Sequence, residues 1–117
     1  MEFNYQIKKH QGVNIISLNG ELMDRNQAED LLKDIQGLID KKEVSLVLDL
    51  AGLKYINSLG LTVFINILTK SRKASGEVVI SDVNKKIKEL LIITKLNKVF
   101  NISNSINEAI TKLKSDK

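Results

Sequence analysis

The segment with the clearest chemical potential joins an apolar run to a helix, between Asp49 and Leu61. Asn57 and Ser58 carry short polar side chains that cap helices, because their oxygens accept hydrogen bonds from free backbone N–H groups. Gly60 follows in the first predicted turn, where it lowers helix propensity but lets another surface approach the backbone closely. In α/β sheets, function commonly lies where a helix begins at the carboxyl end of a strand. From the residues alone, this segment is either a plain cap with a packing glycine or a binding site.

Asp49 and His10 are the other residues whose types could do chemistry. Asp49 ends an apolar run, as the phosphoacceptor of a receiver domain does, but that chemistry needs a magnesium site with further acids after the first strand. The sequence at 8–11 is Lys-Lys-His-Gln, so we interpret Asp49 as a polar strand-end residue that bonds to loop backbone. His10 is the one histidine and lies near a predicted turn. We expect it at the surface, because no orienting partner is in view.

Composition excludes several classes of site. The 117 residues include no Cys and one His, which rules out disulfides, thiolate ligands, Cys nucleophiles and a His-rich metal cluster. Neither glycine-rich phosphate loop is present, and no zinc-protease or EF-hand pattern appears. We therefore predict no catalytic residues, no metal and no cofactor, and we do not expect an enzyme.

The net charge of +4 is unevenly placed. Residues 1–83 hold 10 basic and 11 acidic residues, a net of −1, whereas residues 84–117 hold 8 Lys and 3 acids, a net of +5. Such a basic third could contact nucleic acid, anionic lipid or an acidic protein. It has no Arg, a single aromatic residue and no nucleic-acid-binding motif. We predict no direct nucleic-acid binding and interpret this third as a solvated, Lys-rich helical face.

No apolar run approaches the ~18 residues of a membrane span. The start of the chain, MEFNYQIKK, lacks the apolar core of a signal peptide. We therefore predict no membrane span and a cytoplasmic location.

The elements that must position these residues alternate between strands and helices. Two β-prone stretches, Tyr5–Lys9 and Val13–Leu18, flank a Gln11-Gly12 turn and predict a hairpin. The apolar runs at 46–50 and 78–80 predict adjacent buried parallel strands, and residues 99–102 predict a brief edge strand.

Four helices are predicted from apolar positions spaced three and four residues apart. The first begins at Asp24, with Gln27 completing a capping box, and the others cover 61–74, 84–93 and 106–114. Ser105 and Glu108 form a second capping box, and residues 114–117 are expected to be a loose tail. The order of elements predicts a single α/β domain with a mixed sheet of four or five strands, about four helices and a central parallel βαβ unit.

The run LVLDLAGLKYINSLGL at 46–61 resembles the signature of STAS domains, the sulphate-transporter and anti-sigma-factor-antagonist family. That signature is an apolar strand ending in Asp, a short loop with Gly, and then Asp-Ser-x-Gly-Leu. Further matches in the third helix, the edge strand and the last helix extend the resemblance over nearly the whole chain, 1–117. The matching residues are Asp49, Gly52, Ile56, Ser58, Gly60, Leu61, Ile87, Leu90, Leu91, Thr94, Leu96, Phe100, Glu108 and Ala109.

The resemblance implies a STAS-like fold and a protein-binding module, similar to stand-alone anti-sigma factor antagonists. In partner switching, the unphosphorylated antagonist captures an anti-sigma factor and thereby frees the sigma factor. The anti-sigma factor is often a serine kinase that ends the capture by phosphorylating the Ser after the signature Asp, here Ser58, and a phosphatase would reverse the modification. Asn57 replaces that Asp, which keeps the capping oxygen but removes a carboxylate on which kinase docking could depend.

We predict a partner-binding surface at the 57–61 turn and the nearby third helix, because a glycine-containing helix start beside an apolar helix leaves apolar surface to be covered. The alternative is a STAS subunit of a lipid ABC-type transport complex that docks to a cytoplasmic ATPase, and neighbouring genes would separate the two. A small enzyme or nucleotide-binding protein is a third class, which no catalytic constellation supports. The predicted partner-binding residues are Ile56, Asn57, Ser58, Leu59, Gly60, Leu61, Thr62, Ile87 and Leu91.

Overall fold

The computed structural model describes residues 2–115, which form a five-stranded sheet flanked by four helices. The strand order is β1-β2-β3-β4-β5. The first two strands are antiparallel and the other neighbouring pairs are parallel, which confirms the predicted mixed sheet and its central βαβ unit. The strands are Asn4–His10 (β1), Val13–Leu22 (β2), Ser45–Ile56 (β3), Glu77–Ser81 (β4) and Asn101–Ser103 (β5). The helices are Glu29–Asp40 (α1), Ser58–Lys73 (α2), Lys85–Ile93 (α3) and Ile106–Ser115 (α4).

The β1–β2 hairpin forms as predicted. Gln11 and Gly12 both have positive φ, at 53° and 81°, as the two central residues of a type I′ turn require. The ladder closes directly on this turn, with His10 opposite Val13.

β3 is longer than predicted. We expected a strand at 46–50 followed by a loop, but the strand continues to Ile56 because β2 continues to pair with it as far as Leu22. The pairing contains two irregularities, between Ser17 and Asn19 and between Gly20 and Glu21, and such shifts break the alternation that marks a strand in sequence. Asp49 therefore lies within β3, although β4 stops pairing at this level.

The sheet is covered unequally on its two faces. The main core lies under α1, α2 and α3, whereas α4 alone covers the other face. There, Ala109, Ile110 and Leu113 pack against Val13, Val47 and Val79, which confirms that the last helix lies on the sheet. Burying a side chain such as Leu113 contributes roughly 1.5–3 kcal/mol, so this single helix is a substantial part of the fold.

The helix boundaries differ from prediction in ways that local bonds explain. Asp24 and Gln27 bond reciprocally, Oδ1 to N and N to Oε1, both at 3.1 Å. This capping box closes a 3₁₀ turn at Asn26–Ala28, so the α-helix begins at Glu29 and not at Asp24.

At the other end of the chain, a 3₁₀ turn at Leu96–Lys98 delays the edge strand to Asn101. Phe100, which we placed in that strand, instead lies in the core. Its ring packs edge-on against Phe64, with 6.5 Å between the ring centroids. α4 includes residues 114 and 115 of the predicted tail, and residues 116–117 lie outside the described part of the chain.

Candidate functional site

The start of α2 is fixed by Asn57. Its backbone is extended, and its side-chain Oδ1 accepts a hydrogen bond from the Gly60 N–H at 2.8 Å. The capping role therefore falls to Asn57 and not to Ser58. Ser58 becomes the first residue of the helix, exposed to solvent.

Gly60 is needed for packing inside the molecule. A Cβ at this position would lie closer than 3.0 Å to the Leu22 carbonyl oxygen and to Ile56 Cγ1. Side chains almost never approach so closely, so α2 can start against the end of β2 only with glycine here. Gly60 is also buried. The expectation that this glycine opens the backbone to a partner is therefore wrong, and the packing alternative holds.

A groove of about 500 Å³ lies between the start of α2 and α3. It brings the predicted Asn57–Ser58 turn together with the third helix. Ile56 and Ile87 are each 1% exposed, so they form its floor, and Leu90 and Ile93 add apolar surface from α3. The lining residues are Tyr55, Ile56, Asn57, Ser58, Lys86, Ile87, Glu89, Leu90 and Ile93.

The residues predicted for the partner surface divide by burial. Leu59 is 60% exposed, and Ser58 and Thr62 are also exposed. Leu61 and Leu91, at 2% and 0%, point into the core because they repeat with the buried faces of α2 and α3. Together with buried Gly60, they cannot offer side chains to a partner, and their inclusion in the predicted surface needs this correction.

Five residues that line the groove were not named individually as partner-binding residues, although four of them lie in the third helix, to which the surface was assigned. A signal for them exists in the run Leu90–Ile93, since four consecutive apolar residues exceed what one buried helix face can accept. Ile93 is 77% exposed and Ile92 is 50% exposed, so the excess of this run faces solvent. The five residues are Tyr55, Lys86, Glu89, Leu90 and Ile93.

The other chemical candidates have structural roles. Asp49 Oδ2 accepts from the Ser17 hydroxyl at 2.9 Å and Oδ1 accepts from the Ala51 N–H at 3.0 Å, so the carboxylate is held by its own sheet. His10 is exposed beside Gln11, as predicted. Residues 2–115 hold no group of three or more His, Cys, Asp or Glu placed to bind a metal ion.

The mixed sheet, the α2 start and the signature run define the class. The family model described as the STAS domain matches residues 4–109, and the chain belongs to the STAS domain family. None of the described helices is both long and apolar enough to span a membrane.

Relatives resemble nearly the full length of the chain. BtrV of Bordetella bronchiseptica, which carries the name of an anti-sigma factor antagonist, is 32% identical over 92% of this chain and 91% of its own. The anti-sigma F factor antagonist of Paenibacillus polymyxa is 28% identical over 97% of both chains. The crystal structure of a Thermotoga maritima protein, likewise named as an anti-sigma factor antagonist, matches with a TM-score of 0.82 at 25% identity, over 94% of each chain.

Proposed function

We propose that this protein is an anti-sigma factor antagonist that acts in the cytoplasm, by binding and not by catalysis. Relatives that carry this name resemble it over at least nine-tenths of both chains, which supports the proposal. The observation that carries the proposal is the groove beside Ser58, because it sets an exposed hydroxyl next to apolar surface suited to a protein partner.

The binding surface consists of the exposed start of α2 and the groove. Leu59 is 60% exposed and directly follows Ser58 in α2, so it adds exposed apolar area next to the proposed phosphorylation site. Tyr55, 44% exposed, lines the same groove. Tyrosine is enriched among the few residues that dominate the energetics of protein interfaces.

Ser58 is the proposed site of control. The kinase partner would transfer the γ-phosphoryl group of ATP to Ser58 Oγ: the new O–P bond forms, the bond to ADP breaks, and the hydroxyl proton passes to a base of the kinase. A phosphatase would hydrolyse the ester and restore the hydroxyl. A phosphate here adds nearly two negative charges, which the positive end of α2 tolerates. The same charges, buried without partners in an interface, would oppose binding.

Asn57 sets the conditions of that control. Its amide keeps the cap but carries no charge, so a kinase that docks through a carboxylate at this position would act slowly on Ser58. We therefore propose that binding of the partner does not depend on efficient phosphorylation of Ser58.

The proposal is tested by tagging the full chain, recovering it from its native cytoplasm and identifying bound proteins and phosphopeptides by mass spectrometry. We expect an anti-sigma factor or switch kinase. Leu59→Glu should lose this partner, whereas Thr69→Glu, an exposed position about three turns further along α2, should keep it. Recovery of permease and ATPase subunits instead would contradict the proposal and support the transport alternative.

A further inference from the structure

α3 carries its lysines at the electrostatically unfavourable end. Lys85, Lys86 and Lys88 occupy its first turn and are exposed, and this turn contains no acidic residue. The N-terminus of a helix carries partial positive charge, so cations there are destabilising. α1, by contrast, begins with Glu29 and Asp30. A local rule broken in this way is typical of a functional surface.

These three residues, the α3 lysines, also lack internal compensation. Within residues 2–115 their side chains form neither a hydrogen bond nor an ion pair. Residues 84–98 hold five Lys and a single acid, Glu89. Glu89 also lines the groove, but it is one acid among five lysines, so the rim of the groove on its α3 side is positive on balance.

A plain solvated lysine face would not need apolar surface beside it. Here Lys86 lines the groove together with Leu90 and Ile93. Ile93 is 77% exposed, so a positive rim adjoins an uncovered apolar wall. The combination is complementary to a ligand that has carboxylates on one side and apolar groups on the other.

We propose that the groove accepts an acidic, amphipathic segment of the protein partner. Its apolar side chains would pack on Leu90 and Ile93 above the buried Ile87, and its carboxylates would face the α3 lysines. The inference rests on the proposed function and adds the chemistry of the segment that is captured. A membrane is disfavoured as occupant, because α3 buries Ile87 and Leu91 in its own core and its exposed Ile93 lines a concave groove, whereas a helix that binds to lipid offers a broad, continuous apolar face.

The test uses two fluorescein-labelled peptides with the same leucine pattern, one with Glu and one with Lys at the remaining positions. Binding to the full chain is followed by fluorescence anisotropy. We expect the acidic peptide to bind at least about tenfold more tightly than the basic one, with a preference that weakens as salt is added. Equal affinity for both peptides would overturn the inference.

Two triple variants test whether the preference for the acidic peptide arises at the groove. Lys85→Glu/Lys86→Glu/Lys88→Glu should abolish it, whereas the matched charge reversal Lys8→Glu/Arg25→Glu/Lys33→Glu, at exposed positions on β1 and around α1, should leave it within about twofold. Ile93→Ser should weaken binding of the acidic peptide even though the α3 lysines are retained. An equal loss of the peptide preference in the two triple variants would contradict the inference. Tight binding to phosphatidylglycerol vesicles without a preference between the peptides would indicate a membrane ligand instead. A dimer that dissociates when the α3 lysines are reversed would indicate a second copy of this chain, and either result would also contradict the inference.

Failure here is separable from failure of the proposed function. If the chain co-purifies with an anti-sigma factor but does not discriminate between the peptides, only the acidic-segment inference is lost. If it discriminates between the peptides but co-purifies with no anti-sigma factor, only the proposed function is lost.

Discussion

The Asn57 Oδ1 atom accepts a hydrogen bond from the Gly60 N–H at 2.8 Å, and this contact fixes where α2 begins. It joins the residue that departs from the STAS signature to the glycine that the signature keeps. An amide oxygen serves the cap as well as a carboxylate would. The exchange of Asp for Asn therefore leaves the local structure intact and changes the charge beside Ser58.

The cap predicts a measurable stability difference. Asn57→Ala should lower the free energy of unfolding by about 1 kcal/mol, because the Gly60 N–H loses its acceptor, while Asn57→Asp should stay close to the wild type. Urea denaturation of the three proteins measures this. An unchanged midpoint for Asn57→Ala would mean that another group caps α2.

Gly60→Ala should be destabilising although alanine is the better helix former. The new methyl group would meet the Leu22 carbonyl oxygen and Ile56, and overpacking of this kind costs about 1–3 kcal/mol. Gly37→Ala in α1 is the matched control. Nothing lies within 4 Å of a Cβ there, so that substitution should stabilise the fold by up to about 1 kcal/mol. Thermal unfolding separates the two, and equal shifts would remove the packing explanation for Gly60.

These two glycines illustrate how far the sequence can be interpreted. The caps at Asn57 and Asn84 were predictable, because each bonds to a backbone N–H three residues away. Packing was one of the two explanations open for Gly60, and the sequence could not decide between them, because the atom that excludes a side chain belongs to Leu22, on another strand. The length of β3 was hidden for a related reason, since its pairing shifts depend on β2.

The location of the site was predicted from the sequence, but several of the residues that form it were not. The signature run located the α2 start, and the apolar third helix located the groove. The burial of Leu61 was available from the sequence, because it repeats with Phe64 and Leu68 at helical spacing. Ile65 lies at the same helical spacing from Leu61, yet it is 39% exposed. The role of Tyr55 in the groove depends on β3 reaching Ile56, which the sequence pattern concealed.

Alkaline pH should weaken the fold through Tyr5. Its phenol donates a hydrogen bond to Asp34 at 2.5 Å, and burial, followed by this bond and the Asp34 charge, raises the pKa of Tyr5. The folded state therefore holds the phenolic proton more tightly than the unfolded chain. This contribution is fully present below the unfolded pKa of about 10 and is lost as pH rises above it. The melting temperatures of wild type and Tyr5→Phe should differ by a constant amount below a pH of about 10 and converge as pH rises above it. A difference that stays the same above this pH would contradict the linkage.

Leu59→Glu should separate binding from stability. The side chain is 60% exposed, so the melting temperature should barely change, while a charge on this part of the proposed binding surface should weaken partner binding. Leu61→Ala provides the contrast, since removing a buried leucine costs about 2–5 kcal/mol. A large fall in the melting temperature of Leu59→Glu would place Leu59 in the core and remove it from the proposed surface.

Ser58 decides whether binding is switched. Ser58→Asp should remain folded, because the positive end of α2 offsets the added charge by about 0.3–1 kcal/mol, yet it should bind the partner at least about tenfold more weakly. Ser58→Ala should bind normally and resist the kinase. Asn57→Asp should raise the rate of phosphorylation and leave the unphosphorylated complex unchanged, because it restores a carboxylate beside the acceptor hydroxyl without altering the cap. Binding isotherms and a phosphate-incorporation assay check all three variants. Equal affinities of wild type and Ser58→Asp, with no phosphate at Ser58, would eliminate the switch and leave the binding surface in place, since the exposure of Leu59 and the groove do not depend on Ser58 being modified.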